Sequence, residues 1–262
     1  PFYDLYSEGR FPGSHREKPA VPRSRRGMDF NRNYPSGWRP EAQQEGAGPY
    51  PLSHPETRAQ ADGLLARPRV GALVTYHTYC GAILRPSSWE PDTALDPHDL
   101  AAYKAVGARG TQRTGYPCLS VYEGFRYRDD DVITGGFDDW AYNHLGVLAF
   151  TTEIWSLPTH AGFEVKDPLR FNFKGDRTPE QTLQIVHWCD ANAPGSVVPW
   201  RSFEHPDLGP VELGGWDRMW IWQNPPLSFL AAECEGNHLF AMDLARTTPR
   251  IVVRSSSAED LG

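Results

Sequence analysis

The chain has 262 residues, 39% of them apolar and 12% aromatic, which is enough core for one large α/β domain or two small ones. Its formal net charge of -7 argues against a nucleic-acid partner, and no apolar run is long enough to span a bilayer, so no membrane partner is expected. Cys80, Cys118, Cys189 and Cys234 form no Cys-x-x-Cys pair, which argues against a metal ribbon or thioredoxin-like motif, and they are expected to be buried thiols.

Residues 1–26 have no clear hydrophobic period, contain Pro12, Pro19 and Pro22, and read as an extended arm or loop. Met28 and Phe30 alternate as in a brief strand that ends in Asn31-Arg32-Asn33. Ser53-His54-Pro55-Glu56 predicts a helix start, with Ser53 as N-cap and Glu56 closing a capping box. That helix runs to about Ala66 with Ala59, Leu64 and Leu65 inward, and Pro68 stops it. Val70 to Val74 is a short buried strand leading into Tyr76-His77-Thr78-Tyr79, and Gly81 lets the chain turn into a second strand, Ala82 to Leu84.

Asp96-Pro97 opens a helix from Leu100 to about Thr114, with Leu100, Tyr103, Val106 and Ala108 on or near one face. Cys118 to Tyr122 reads as a strand, and Glu123 to Asp131 as a charged, aromatic loop. Gly135-Gly136 releases a helix over Phe137–His144, and Val147 to Ile154 is a second buried strand ending in an acid. Residues 179–187 fit a helix, 192–226 read as an irregular excursion rich in Gly, Pro and Trp, and Leu227 to Ala245 is a terminal helix. Arg250 to Arg254 looks like a strand, the start of a further β domain over 249–262. Alternating helices and apolar strands predict an α/β fold with a mixed, mostly parallel twisted sheet and helices on both faces.

Three stretches carry chemistry. His77 stands at the end of a strand, where α/β sheets place ligands, and neutral imidazole is a common metal ligand. Glu153 ends an apolar strand, so desolvation should raise its pKa toward values useful for proton transfer. Arg32 between Asn31 and Asn33 offers a fork that grips a carboxylate. Taken singly, His77 and Glu153 are better read as a sheet-edge histidine and an acid leaving the sheet for solvent, and Arg32 has the alternative of a surface arginine at a strand-end turn.

Their order is more specific. Gly27 and Asp29-x-Asn31-Arg32-Asn33-Tyr34 come first, then Leu52-Ser53-x-Pro55-Glu56, then His77-x-Tyr79. Gly135-Gly136-x-Asp138-Asp139-Trp140-x-Tyr142 and Phe150-Thr151-x-Glu153 follow. This succession, from Gly27 to about Ile154, closely resembles the zinc carboxypeptidase A/B family. The resemblance implies a carboxypeptidase-like domain over 27–248. It implies that His77 is a ligand of one Zn2+ ion, and that Asn31 and Arg32 hold the terminal carboxylate of a peptide. Thr78 and Tyr79 would line the peptide cleft, and Glu153 would act as general base on the attacking water. Asp138 matches the position whose carboxylate selects a C-terminal Lys or Arg in B-type members; its plainer reading is a cap on the helix opened by Gly136.

The sequence also departs from that pattern. The family carries two further zinc ligands in a His-x-x-Glu motif upstream of its Asn-Arg stretch, and this sequence has no His-x-x-Glu. One histidine cannot hold catalytic zinc. The chain starts with Pro rather than Met, so it reads as a fragment, inactive alone, with the remaining two ligands expected upstream of residue 1. The family's mobile cleft tyrosine falls near Asp131, leaving Tyr127 or Tyr122 to supply a hydroxyl. Arg16, Arg23, Arg25 and Arg26 lack the context of the carbonyl-polarising arginine, and none is assigned.

The expected function is zinc-dependent hydrolysis of C-terminal peptide bonds in the intact protein, with peptide or protein C-termini as partners. The alternatives are a non-catalytic binder of peptide C-termini and an amidase of a small or cell-wall peptide on the same scaffold. A cytoplasmic or secreted setting fits equally, and oligomeric state is not encoded in these motifs.

Overall fold

A parallel strand pair packed between helices needs apolar side chains in both directions, and the two runs that lead into His77 and Glu153 supply them. The computed structural model describes residues 9–10, 29–127, 130–174, 177–206 and 209–248. In chain order the elements are β1 (Gly9–Arg10), α1 (Pro55–Leu65), β2 (Ala72–Thr78), β3 (Ala82–Arg85), α2 (Pro97–Thr114), β4 (Cys118–Ser120), α3 (Val121–Gly124) and α4 (Phe137–Leu145). They continue with β5 (Leu148–Ile154), α5 (Leu157–His160), α6 (Pro179–Asn192), β6 (Val197–His205), β7 (Gly209–Trp216), α7 (Arg218–Ile221) and α8 (Leu227–Thr247).

The principal sheet has four strands in the order β2-β5-β3-β4. β2 and β5 run parallel, as do β3 and β4, while β3 is antiparallel to β5, so the sheet is mixed and mostly parallel. Side chains alternate across a strand. Leu73 and Ala149 therefore turn one way, toward Ala141 and Leu145 of α4. Val74 and Phe150 turn the other way, onto Tyr103 and Val106 of α2 and Phe240 and Leu244 of α8. Helices cover both faces, as the alternation of elements predicts. Phe150 and Phe240 meet edge-on at 5.4 Å, and each buried ring contributes about 1.5–3 kcal/mol. Gly110 admits this packing: a Cβ there would lie 2.6 Å from Ile83 Cδ1.

Several local expectations change for identifiable reasons. Ser53 does not cap α1; its hydroxyl accepts from Asn33 Nδ2 at 2.9 Å, and His54 is the residue that precedes the helix. Asn33 is fully buried; its amide also donates to the Ala47 and Tyr50 carbonyls, and its Oδ1 accepts from Thr57 Oγ1 at 2.7 Å. This network rolls α1 so that Thr57 and Ala61 are buried and Leu65 is 61% exposed. β2 is half-exposed rather than buried and runs on through Thr78. β4 stops at Ser120, whose hydroxyl accepts from the Glu123 backbone at 3.3 Å and starts the single turn α3.

The stretch 192–226 is not irregular. β6 and β7 pair antiparallel within it, and β1 adds to β7 to make a separate three-stranded sheet. A register shift between Val198 and Arg201 interrupts the β6–β7 ladder, which is why alternation is hard to see there. Most of the arm expected over 1–26, the residues Gly27 and Met28, the strand at 250–254 and the further domain over 249–262 lie outside the described residues. Among the described residues no helix is long and apolar enough to cross a membrane.

Candidate active site

The site is built where β2 and β5 end side by side. Parallel register sets His77 opposite Glu153 and Thr75 opposite Thr151. All four share the sheet face that carries Leu73 and Ala149, so they lie on the α4 side. His77 Nδ1 is 3.7 Å from Glu153 Oε1. One step back along the strands, Thr75 and Thr151 hydroxyls meet at 2.8 Å, and Thr151 Oγ1 donates to Asp138 Oδ2 at 3.2 Å. Asp138 and Asp139 occupy the first turn of α4, a favoured place for negative charge.

The third wall comes from the short turn Phe30–Arg32. Asp29 starts it, accepting from the Asn31 backbone at 3.1 Å, and its second oxygen pairs with Arg32 Nη2 at 3.2 Å. Arg32 Nη1 donates to the Asn31 carbonyl at 2.7 Å, so the guanidinium is held on two sides. Asn31 Oδ1 accepts from the Phe137 backbone at 2.7 Å, which ties the turn to the start of α4 and leaves the amide NH2 as its donor. Gly135 completes the join at φ +69: a side chain there would collide with the Arg32 carbonyl.

These walls line an open cavity of about 180 Å³, formed by Asn31, Arg32, His77, Thr78, Tyr127, Asp138 and Glu153 together with Asp29 and Thr151. One expected residue is elsewhere. Tyr79 does not line this cavity; its ring is buried in an aromatic cluster with Trp155 and Trp222. Beyond it, Gly81 at φ +65 lets the chain turn into β3. Tyr122 is also absent from the lining, and the Arg126 guanidinium lies 4.5 Å over its ring. Half-exposed Tyr127 packs edge-on against Phe125 at 6.0 Å. The sequence motifs do not single out Asp29 or Thr151 as site residues. Asp29 carries a signal as the residue before the turn, and Thr151 as the same-face neighbour two positions before Glu153.

Burial dominates the electrostatics. It pushes the Glu153 carboxyl up to about 8; the Arg32 charge opposes this, and Asp29 and Asp138 reinforce it. Glu153 Oε2 has no hydrogen-bond partner among the described residues. Burial also lowers His77, against the pull of Asp138 and Asp29. At neutral pH the pair is therefore a neutral imidazole beside a largely protonated acid, not an ion pair. Asp138 is raised by burial, and Asp139 well above the usual carboxylate range by burial and by Asp138 beside it.

The donor set does not fit a zinc site on its own. Catalytic zinc needs about three protein ligands, and among the described residues no three His, Cys, Asp or Glu side chains gather as a metal-binding group. His77 is one donor of the right kind.

Comparison with known proteins puts this geometry in a family. No curated protein matches the chain. Among solved structures, thrombin activatable fibrinolysis inhibitor is similar over 85% of this chain and 42% of its own, with 19% identity and a TM-score of 0.50. The bovine form of that inhibitor, in complex with tick carboxypeptidase inhibitor, aligns at 23% identity over 68% of this chain and 59% of its own, with a TM-score of 0.41. Carboxypeptidase A from Helicoverpa armigera aligns at 18% identity over 64% and 43%, also with a TM-score of 0.41. The first of these shares the fold, and this chain spans less than half of its length. The family Peptidase_M14, zinc carboxypeptidase, matches residues 6–166, more than half of the chain, and the chain belongs to that family.

Proposed function

We propose that this chain supplies the carboxylate-anchoring and proton-transfer parts of a carboxypeptidase site. The observation that carries the reading is the meeting of His77, Glu153 and Arg32 in one cavity. Arg32, already oriented by Asp29 and the Asn31 carbonyl, would hold the terminal carboxylate of a peptide, and the Asn31 amide would donate to the same group. Fixing the tail in this way sets which peptide bond meets Glu153. In its ionised form, the minor one at neutral pH because burial holds the carboxyl near 8, Glu153 would accept a proton from the attacking water and return it to the departing amine. Asp138, at the cavity wall, would meet the side chain of the terminal residue. No step is assigned to zinc, because the described residues do not assemble its ligands.

That same shortage of donors favours a second reading, a binder of peptide C-termini that does not turn them over. Both readings require Arg32 to recognise a free carboxylate. Calorimetric titration with a peptide and its C-terminal amide tests this: the acid should bind about ten-fold or more tightly, and Arg32→Gln should abolish the difference. Equal affinities would overturn both. Mass-spectrometric detection of released C-terminal residues then separates them, with Glu153→Gln abolishing release while peptide is still bound.

A further inference from the structure

Two arginines have no part in the site above. The Arg177 guanidinium stacks 4.4 Å over the ring of Trp222, while its Nη1 is buried and has no hydrogen-bond partner among the described residues. Arg218 Nη2 donates to Tyr79 Oη at 3.3 Å. Tyr79 and Trp222 meet edge-on at 6.2 Å, so the four side chains form one patch. Neither arginine makes a salt bridge with a described carboxylate. Burial lowers the pKa of Arg177, and the nearby positive charge of Arg218 lowers it further. Stacking on Trp222 accounts for one face of Arg177, but not for a second cation beside it or for the bare Nη1. Two guanidinium charges beside each other repel, and an anion that accepts from the accessible edges of both would relieve this.

The patch adjoins the cavity. Thr78, which lines the cavity, precedes Tyr79 directly, and its hydroxyl donates to the carbonyl of Gln223, the residue after Trp222. A peptide held by its tail at Arg32 spans about 3.3–3.6 Å per extended residue, so a few residues carry it along this wall.

We propose that Arg177 and Arg218, with Tyr79 between them and the cavity, form an anion subsite for an acidic side chain upstream of the peptide's terminal residue. This rests on the reading of Arg32 as the anchor for a peptide tail. A guanidinium pair suits a carboxylate because each offers two parallel N–H donors. Tyr79 thus acts in recognition from outside the main cavity, by holding Arg218.

The test is titration with tetrapeptides that carry Glu, Gln or Lys at the second, third or fourth position from a free C-terminus, and with their C-terminal amides. Glu at one position should bind about ten-fold tighter than Gln, with Lys weakest. Arg177→Gln and Arg218→Gln should each remove that preference without changing affinity for the Gln peptide, and Arg177→Lys should keep part of it. Thermal melts of each variant separate misfolding from lost recognition. Equal binding of Glu and Gln peptides at every position, or a Glu preference that survives the double Gln variant, overturns the subsite and leaves the Arg32 anchor standing. Equal binding of acids and amides, with the Glu preference intact, overturns the anchor and upholds the anion site. Absence of binding by every peptide overturns both.

Discussion

The two faces of the principal sheet are built from the same strands and do opposite things. On β5, Leu148 and Phe150 pack against α2 and α8, in a layer of rings that meet edge-on, including Tyr103 against Phe150 at 5.1 Å. Ala149, Thr151 and Glu153 alternate with them on the α4 side, where the polarity rises step by step toward the strand end. Close-packed rings lower the free energy of the fold. A buried, unpartnered carboxyl raises it, and such strain persists at sites where binding or chemistry uses it. The difference teaches that a two-residue period can divide stability from function along a single seven-residue strand.

Substitutions on the two faces should therefore move stability in opposite directions. Phe150→Ala, or Phe240→Ala opposite it, should destabilise by about 3–5 kcal/mol, read as a lower denaturation midpoint in urea. A loss below about 1 kcal/mol would mean that this face is not the stabilising one. Glu153→Gln should do the reverse. Because the folded state holds the Glu153 proton up to about pH 8 and the unfolded chain releases it near 4.5, wild-type stability should fall as pH rises through that interval and then level off. The Gln variant should lose that slope and melt at a higher temperature than wild type at pH 8. Identical melting curves for the two across pH 5–8 would mean that Glu153 ionises as an ordinary carboxyl and carries no strain.

Asp139→Asn sharpens the contrast further. Asp139 Oδ1 accepts from the Ser88 backbone at 3.1 Å while Oδ2 is buried without a partner. The amide keeps one acceptor and removes a charge that burial and Asp138 oppose, so stability above neutral pH should rise, by less than for Glu153→Gln, with peptide affinity unchanged. The smallest expected change is Ser53→Ala. Its hydroxyl is one of several partners of Asn33 and not a helix cap, so the cost should be below about 1 kcal/mol by thermal denaturation. A larger loss would restore the capping role that the sequence suggests.

The parts of this arrangement that are legible in sequence are those governed by short-range rules. Two apolar runs announce β2 and β5, but it is the order of motifs shared with the zinc carboxypeptidase family, not the apolar pattern, that joins His77 and Glu153 in one site. The start of α1 differs from expectation for a physical reason: Asn33 makes hydrogen bonds to residues 14, 17, 20, 21 and 24 positions away, and these outcompete the local Ser53 cap. The packing of Tyr79 is not legible because its neighbours Trp222 and Arg218 lie far along the chain, beyond any periodicity. The β6–β7 hairpin is hidden by Pro199 and the Gly214-Gly215 pair, which break alternation while the ladder continues around them.

The contact of Gly135 with the Arg32 carbonyl has an engineering consequence. It welds the turn that carries the guanidinium to the loop that launches Asp138, so those two groups travel as one rigid piece. A designer wishing to alter the cavity wall should therefore exchange Asp138 in place and leave the loop lengths on either side of Gly135 untouched. Grafting the helix start from a relative would drag the Arg32 turn along with it.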